Sequence, residues 1–150
     1  MKRWERWSFN LAALLVALTG FAYFWMKYFV ENPDPFAVVN HPWEPALLHV
    51  LAAPALILVF GLILNSHVLK KLSATKVPLR KSGLTSLGLF AAMVCSGYLL
   101  QVATSESWLR ALVAVHVGTG AAFALVYPAH LMLSTRRARR PAASPMREVA

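Results

Sequence analysis

Five histidines carry most of the chemistry this sequence offers. His49 and His67 lie in one long apolar run, and His116 and His130 lie in another. His41 falls in a proline-rich stretch just before the first of these runs. An ionisable side chain inside an apolar run of membrane-spanning length is costly and marks a candidate functional site. Imidazole can take up a proton, bind copper or zinc, or ligate haem iron. Spacing narrows the choice. The 18 steps from His49 to His67 make about five full α-helical turns, so both should point the same way. The 14 steps from His116 to His130 leave an offset of about 40°, again one face. Each run is therefore expected to present two imidazoles on a single stripe, one toward each end.

The elements that must position these histidines are membrane helices. The chain has 150 residues, of which 58% are hydrophobic and only 14% charged. A soluble domain of this size cannot hide so much apolar surface. Apolar segments run from about 8–30, 45–69, 84–104 and 108–134, each long enough to cross the ~30 Å of bilayer hydrocarbon. The expected fold is all-α: an integral membrane four-helix bundle over residues 1–134, up-down-up-down, followed by a basic tail over 135–150. The basic start from Met1 to Arg6 followed by an apolar run allows a signal peptide. The run is too long for a signal core and ends without a small-residue cleavage motif, which favours a retained helix. No internal repeat is evident.

The formal net charge of +9 is segregated rather than spread, which argues against nucleic acid as the partner. Lys2, Arg3 and Arg6 precede the first span, and Lys70, Lys71, Lys76, Arg80 and Lys81 separate the second from the third. Arg136, Arg137, Arg139, Arg140 and Arg147 follow the fourth, leaving only Lys27 and Arg110 for the opposite side. The positive-inside rule then puts both termini in the cytoplasm of a bacterial inner membrane. The loop from Glu31 to Glu44 falls on the periplasmic side, and the short link from Ser105 to Ser107 makes the last two spans an antiparallel hairpin. Cys95 is the only cysteine, which excludes an intrachain disulfide and any multi-cysteine metal or iron–sulfur site.

Topology sorts the four histidines into pairs. The second and fourth spans run in the same direction, so His49 and His116 share the periplasmic half while His67 and His130 share the cytoplasmic half. Two imidazoles facing one another across a bundle can axially ligate one haem iron. The expected cofactors are two bis-histidine haems b, held noncovalently because the Cys-x-x-Cys-His attachment motif is absent. The ligands are about 21 Å apart along the fourth helix and about 27 Å along the second, a mismatch that tilt or a kink at Pro54 would have to absorb. Gly118 and Gly120 near His116, with Ser96 and Gly97 in the third span, offer room for a porphyrin or for close helix packing. Arg110 is the periplasmic candidate for a haem propionate; Lys70, Lys71, Arg80 and Lys81 are the cytoplasmic ones. Trp4, Trp7, Trp43 and Trp108 sit where interfacial belt residues sit. Quinone is a further candidate ligand, with His41, Glu44, Asn65 and Gln101 as the polar groups available to it. The core of the spans holds no Asp or Glu, which argues against a proton pump.

With these histidines, and with the stretches His41-Pro42-Trp43-Glu44-Pro45-Ala46-Leu47-Leu48-His49 and Ser96-Gly97-Tyr98-Leu99-Leu100-Gln101, the chain resembles bacterial di-haem b-type cytochromes of the inner membrane. That class includes cytochrome b-561 proteins and the membrane b subunits of hydrogenases and formate dehydrogenases. The resemblance spans roughly Asn10 to Ser134. It implies that His49, His67, His116 and His130 are haem ligands and that the protein transfers electrons, often with quinone, between a quinol pool or membrane dehydrogenase and a redox partner. The chain departs from those types in having no histidine in its first span. Two ligands on each of two helices is closer to the cytochrome b of quinol–cytochrome c oxidoreductases, whose spacings match that of His116 and His130 but not that of His49 and His67. Two other readings stay open. One is a structural or accessory subunit of a larger respiratory or photosynthetic membrane complex. The other is a transporter handling copper, zinc or protons, which would gather its histidines around one cavity.

Overall fold

The computed structural model describes residues 2–29, 45–74 and 79–138. The described residues are helical apart from short connections. Helix α1 spans Arg3–Phe29 and α2 spans Pro45–Ile63. Helix α2 runs on through a π-helical turn, Leu64–Leu69, into a short α3, Lys70–Ser73. Helix α4 spans Arg80–Val102 and α5 spans Glu106–Ala138. Four helical rods are long and apolar enough to cross a membrane: Arg3–Phe29, Ala46–Ser73, Arg80–Val102 and Glu106–Arg137. The shortest, at 23 residues, reaches about 35 Å at 1.5 Å per residue, enough for the hydrocarbon layer.

The helices extend past the apolar runs that define the spans. Helix α1 begins at Arg3 because the Lys2 N–H donates to Glu5 Oε2 at 2.6 Å, half of a capping box three residues into the helix. Helix α5 continues to Ala138, so Arg136 and Arg137 lie in its last turn, where cations complement the helix dipole. Pro54 and Pro128 lie inside α2 and α5. The irregularity in the second rod falls at Leu64–Leu69, ten residues beyond Pro54 and around His67.

The chain divides into two compact units, Met1–Lys76 and Val77–Ala150. The first is an antiparallel hairpin of α1 and α2. Phe9 meets Phe60 with ring centroids 6.4 Å apart, while His49 lies against Val16 and Ser66 against Glu5. Phe9 and Val16 on α1, with Ala52, Leu56 and Ile63 on α2, are buried and recur at four- and seven-residue steps, as one face of a helix does. The second unit is an antiparallel hairpin of α4 and α5. Phe90 meets Phe123 at 5.7 Å, and Phe123 stacks on Tyr127. Its buried residues, Ser86, Phe90 and Ser96 against Leu112 and Phe123, include small hydroxyl side chains of the kind that let membrane helices approach closely. Large apolar side chains point outward from both units: Leu58 is 68% exposed and Leu125 75%. Water would penalise such a surface, whereas lipid solvates it.

Candidate functional site

Three of the four span histidines lie in the same kind of local seat. His49 leaves α2 toward α1, where its Nδ1 lies 3.1 Å from the Val16 carbonyl oxygen and 3.3 Å from Thr19 Oγ1. His116 leaves α5 toward α4, where its Nδ1 lies 2.9 Å from the Met93 carbonyl oxygen and 3.3 Å from Ser96 Oγ. His130, further along α5, brings its Nδ1 to 2.8 Å from Ser82 Oγ. Each hydroxyl residue is followed by glycine: Thr19-Gly20, Ser96-Gly97 and Ser82-Gly83. A Cβ at Gly20 would stand 2.9 Å from His49 Cε1, and one at Gly97 would stand 3.0 Å from His116 Cε1. At Gly83 the same atom would be 3.5 Å from His130 Cε1. At Gly20 and Gly97 the missing side chain makes room for the imidazole ring, whereas at Gly83 a Cβ would make an ordinary contact.

The hydrogen bonds assign the protons. A carbonyl oxygen only accepts, so the Nδ1 of His49 and of His116 must be the donor. The hydroxyls agree. Thr19 Oγ1 donates to the carbonyls of Leu15 and Val16, Ser96 Oγ to those of Ala92 and Met93, and Ser82 Oγ to that of Leu79. With their own protons committed, the hydroxyl oxygens of Thr19 and Ser96 accept from the imidazole. The rings of His49 and His116 therefore carry hydrogen on Nδ1, and in the neutral form their lone pair sits on Nε2, whereas the Ser82 hydroxyl facing His130 can accept or donate. A metal-ligating histidine typically has this arrangement, its second nitrogen held by a carbonyl or hydroxyl.

His67 is different. It lies within the π-turn, half-buried. Its neighbour Ser66 donates to Glu5 Oε2 at 3.3 Å and is 3.5 Å from the Ile63 carbonyl. Glu5, 5% exposed, is thus shared between the α1 N-terminus and this turn. A π-turn holds about one residue more than an α-turn, up to roughly 100° of rotation, so 18 steps no longer return His67 to the azimuth of His49. It also takes roughly 1.5 Å, one residue's rise, off the long spacing between them. π-turns within α-helices are frequent at functional sites.

The other residues singled out in the sequence separate from one another. Gly120 faces the thioether of Met93, whose sulfur would be 3.7 Å from an added Cβ, so it serves the α4–α5 contact. Gly118 faces open space. Arg110 pairs with Glu106 at 3.5 Å on the exposed first turns of α5. Asn65 and Gln101 are exposed. His41 and Glu44 lie outside the described residues, as does the tail from residue 139. Lys27 lies over the rings of Tyr23 and Tyr28, and Trp25 stacks on Phe29 at 4.7 Å, an amphipathic aromatic end to α1. Among the described residues of either unit, no three His, Cys, Asp or Glu side chains gather into a metal-binding group.

Reading from sequence alone missed Thr19, Ser82, Glu5 and the π-turn. The recurring signal was the Ser/Thr-Gly step, present at Thr19-Gly20, Ser82-Gly83, Ser96-Gly97 and Thr119-Gly120. The first and third of these steps also reveal a local repeat. Residues 16–20 with His49 correspond to residues 93–97 with His116, a carbonyl, a hydroxyl three residues on and a glycine four residues on. No family model, no curated protein and no solved structure matches this chain.

Proposed function

We propose that this protein is a di-haem b-type cytochrome that carries electrons across a bacterial inner membrane, between quinol or a membrane dehydrogenase and a redox partner. In this reading the two hairpins form an up-down-up-down four-helix bundle with both termini in the cytoplasm. His49 pairs with His116 on the periplasmic side, and His67 with His130 on the cytoplasmic side. The observation that carries it is the common state of His49 and His116, each donating from Nδ1 to a helix carbonyl so that Nε2 holds the lone pair an iron needs, with the Nδ1 of His130 seated on the Ser82 hydroxyl. The donor set fits haem: imidazole nitrogens ligate haem iron axially, and among the described residues no third His, Cys, Asp or Glu joins them in a metal-binding group.

Haem, when bound, supplies the one-electron chemistry. The chain's own part is to orient the imidazoles, exclude water with its apolar helices and fix which nitrogen carries the proton. The Arg110–Glu106 pair, on the periplasmic side in this topology, leaves the guanidinium able to exchange its partner for a propionate. The test is to purify the protein after expression with adequate haem, record the reduced-minus-oxidised spectrum and count haems in each His→Ala variant. Loss of one haem from His49→Ala and from His116→Ala, and of the other from His67→Ala and His130→Ala, is expected. A preparation without a bis-histidine b-type spectrum would refute the proposal.

A further inference from the structure

Resting on that reading and deepening it, we infer that Thr19 and Ser96 are positioning residues for the cofactor, their hydroxyls fixing the ring planes of His49 and His116 while the Val16 and Met93 carbonyls hold the proton on Nδ1. Two independent hairpins build the same bracket around Nδ1. The carbonyl arms are 3.1 and 2.9 Å long and the hydroxyl arms 3.3 Å in both. A helical carbonyl already accepts one intrahelical hydrogen bond and has a second lone pair to offer. One arm alone leaves the imidazole free to swing about its broad χ2 torsion. The second arm, offset by three residues along α1 or α4, sets the plane in which the ring lies. Back-bonding of each hydroxyl to its own helix aims the hydroxyl lone pairs outward at the imidazole rather than along the helix. Gly20 and Gly97 then admit the ring edge at a distance no other residue would permit. A merely structural serine or threonine on a helix face needs neither the glycine nor the facing imidazole.

Hydrogen bonds to Nδ1–H raise the basicity of Nε2 and favour the oxidised iron. Removing the hydroxyl arm without changing side-chain shape should therefore raise the midpoint potential of the haem served by His49 and His116 and leave the other haem alone. The experiment compares wild type with Thr19→Val, Thr19→Ser, Ser96→Ala and Ser96→Thr, all as full chains in nanodiscs. It measures haem dissociation, the potential of each haem and the low-spin electron paramagnetic resonance signature. Thr19→Val and Ser96→Ala should weaken retention of that one haem roughly ten- to hundredfold, raise its potential and change its signature. Thr19→Ser and Ser96→Thr should restore all three. In haem-free protein, ¹⁵N resonances should show Nδ1-protonated His49 and His116 in wild type and all four variants, because the carbonyls remain, with the ring resonances broadened by motion only in Thr19→Val and Ser96→Ala. Unchanged potential and signature in haem-loaded Thr19→Val, or equal shifts in both haems, would overturn the positioning role while leaving the di-haem reading intact. Wild-type protein that takes up no haem would overturn that reading and the role with it.

Discussion

Glycines within the spans do not share a function, and the distances separate them. A methyl group added at Gly20 or Gly97 would stand 2.9 or 3.0 Å from an imidazole carbon held by two hydrogen bonds. Neither the ring nor the backbone beneath it can give way cheaply, and overpacking of this kind costs about 1–3 kcal/mol. At Gly83 the same methyl would make an ordinary contact at 3.5 Å, and at Gly118 it would meet nothing within 4 Å. Gly118→Ala should even gain about 0.5–1 kcal/mol from helix propensity. Thermal unfolding in detergent should therefore rank the alanine variants Gly118 above Gly83, and both above Gly97 and Gly20. Under the proposed di-haem function, the last two should also lose the haem assigned to His49 and His116. If Gly20→Ala proved as stable as Gly118→Ala, the imidazole would not occupy the seat described. Ser96 and Gly97 stand out in the sequence because they interrupt an apolar run. Thr19-Gly20 is the same hydroxyl–glycine step, but α1 around it is rich in Leu, Ala and Phe, and packing explains a lone small pair there equally well. Only the hydrogen bond from the facing helix tells the two roles apart.

At the scale of the element, hydropathy makes the four spans legible because lipid demands about 20 apolar residues in a row. It does not find where helices end, since helices end at caps. Glu5 reads in sequence as a flanking charge, yet it caps α1 and receives Ser66. Helical phase was legible for the 14-residue spacing of α5, whose Ser82 and Ser96 contacts place His130 and His116 on one face of that helix toward α4. It was not legible for the second rod, because a fixed rotation per residue presumes unbroken i→i+4 bonding, and Leu64–Leu69 is π-helical. The π-turn holds a surplus residue, so deleting exposed Asn65 should let it close as α-helix. Circular dichroism should show unchanged helicity. Under the proposed di-haem function, the haem assigned to His67 should be lost or altered in its resonance signature, while that assigned to His49 keeps its own. Identical signatures at both sites would mean that the π-turn has no part in placing His67.

For the whole molecule, orientation rests on the charge flanking the four spans, and the structure sharpens that argument at its two exceptions. Lys27 and Arg110 are the two basic residues that the proposed topology leaves on the side away from the other thirteen. Arg110 is paired with Glu106, so the first turn of α5 carries little net charge. Lys27 lies over two tyrosine rings at 5.5 and 6.0 Å, as an interfacial lysine at an aromatic belt does. Neither opposes the positive-inside bias set by Lys2, Arg3 and Arg6, by the Lys70–Lys81 segment, and by Arg136 and Arg137. The expected orientation therefore has the α4–α5 turn in the periplasm and the α1 start, the Ser73–Arg80 link and the α5 end in the cytoplasm. Cys95 can be replaced by serine to give a thiol-free background, and single cysteines placed at Glu106, Lys81 and Arg136. A membrane-impermeant maleimide should label Glu106→Cys in right-side-out vesicles. It should label Lys81→Cys and Arg136→Cys only in inside-out vesicles. Labelling of Lys81→Cys and Arg136→Cys from opposite faces would mean that α4 and α5 do not cross as a hairpin. Labelling of all three in the reverse sense would invert the topology and, with it, the side of the membrane on which His49 and His116 lie.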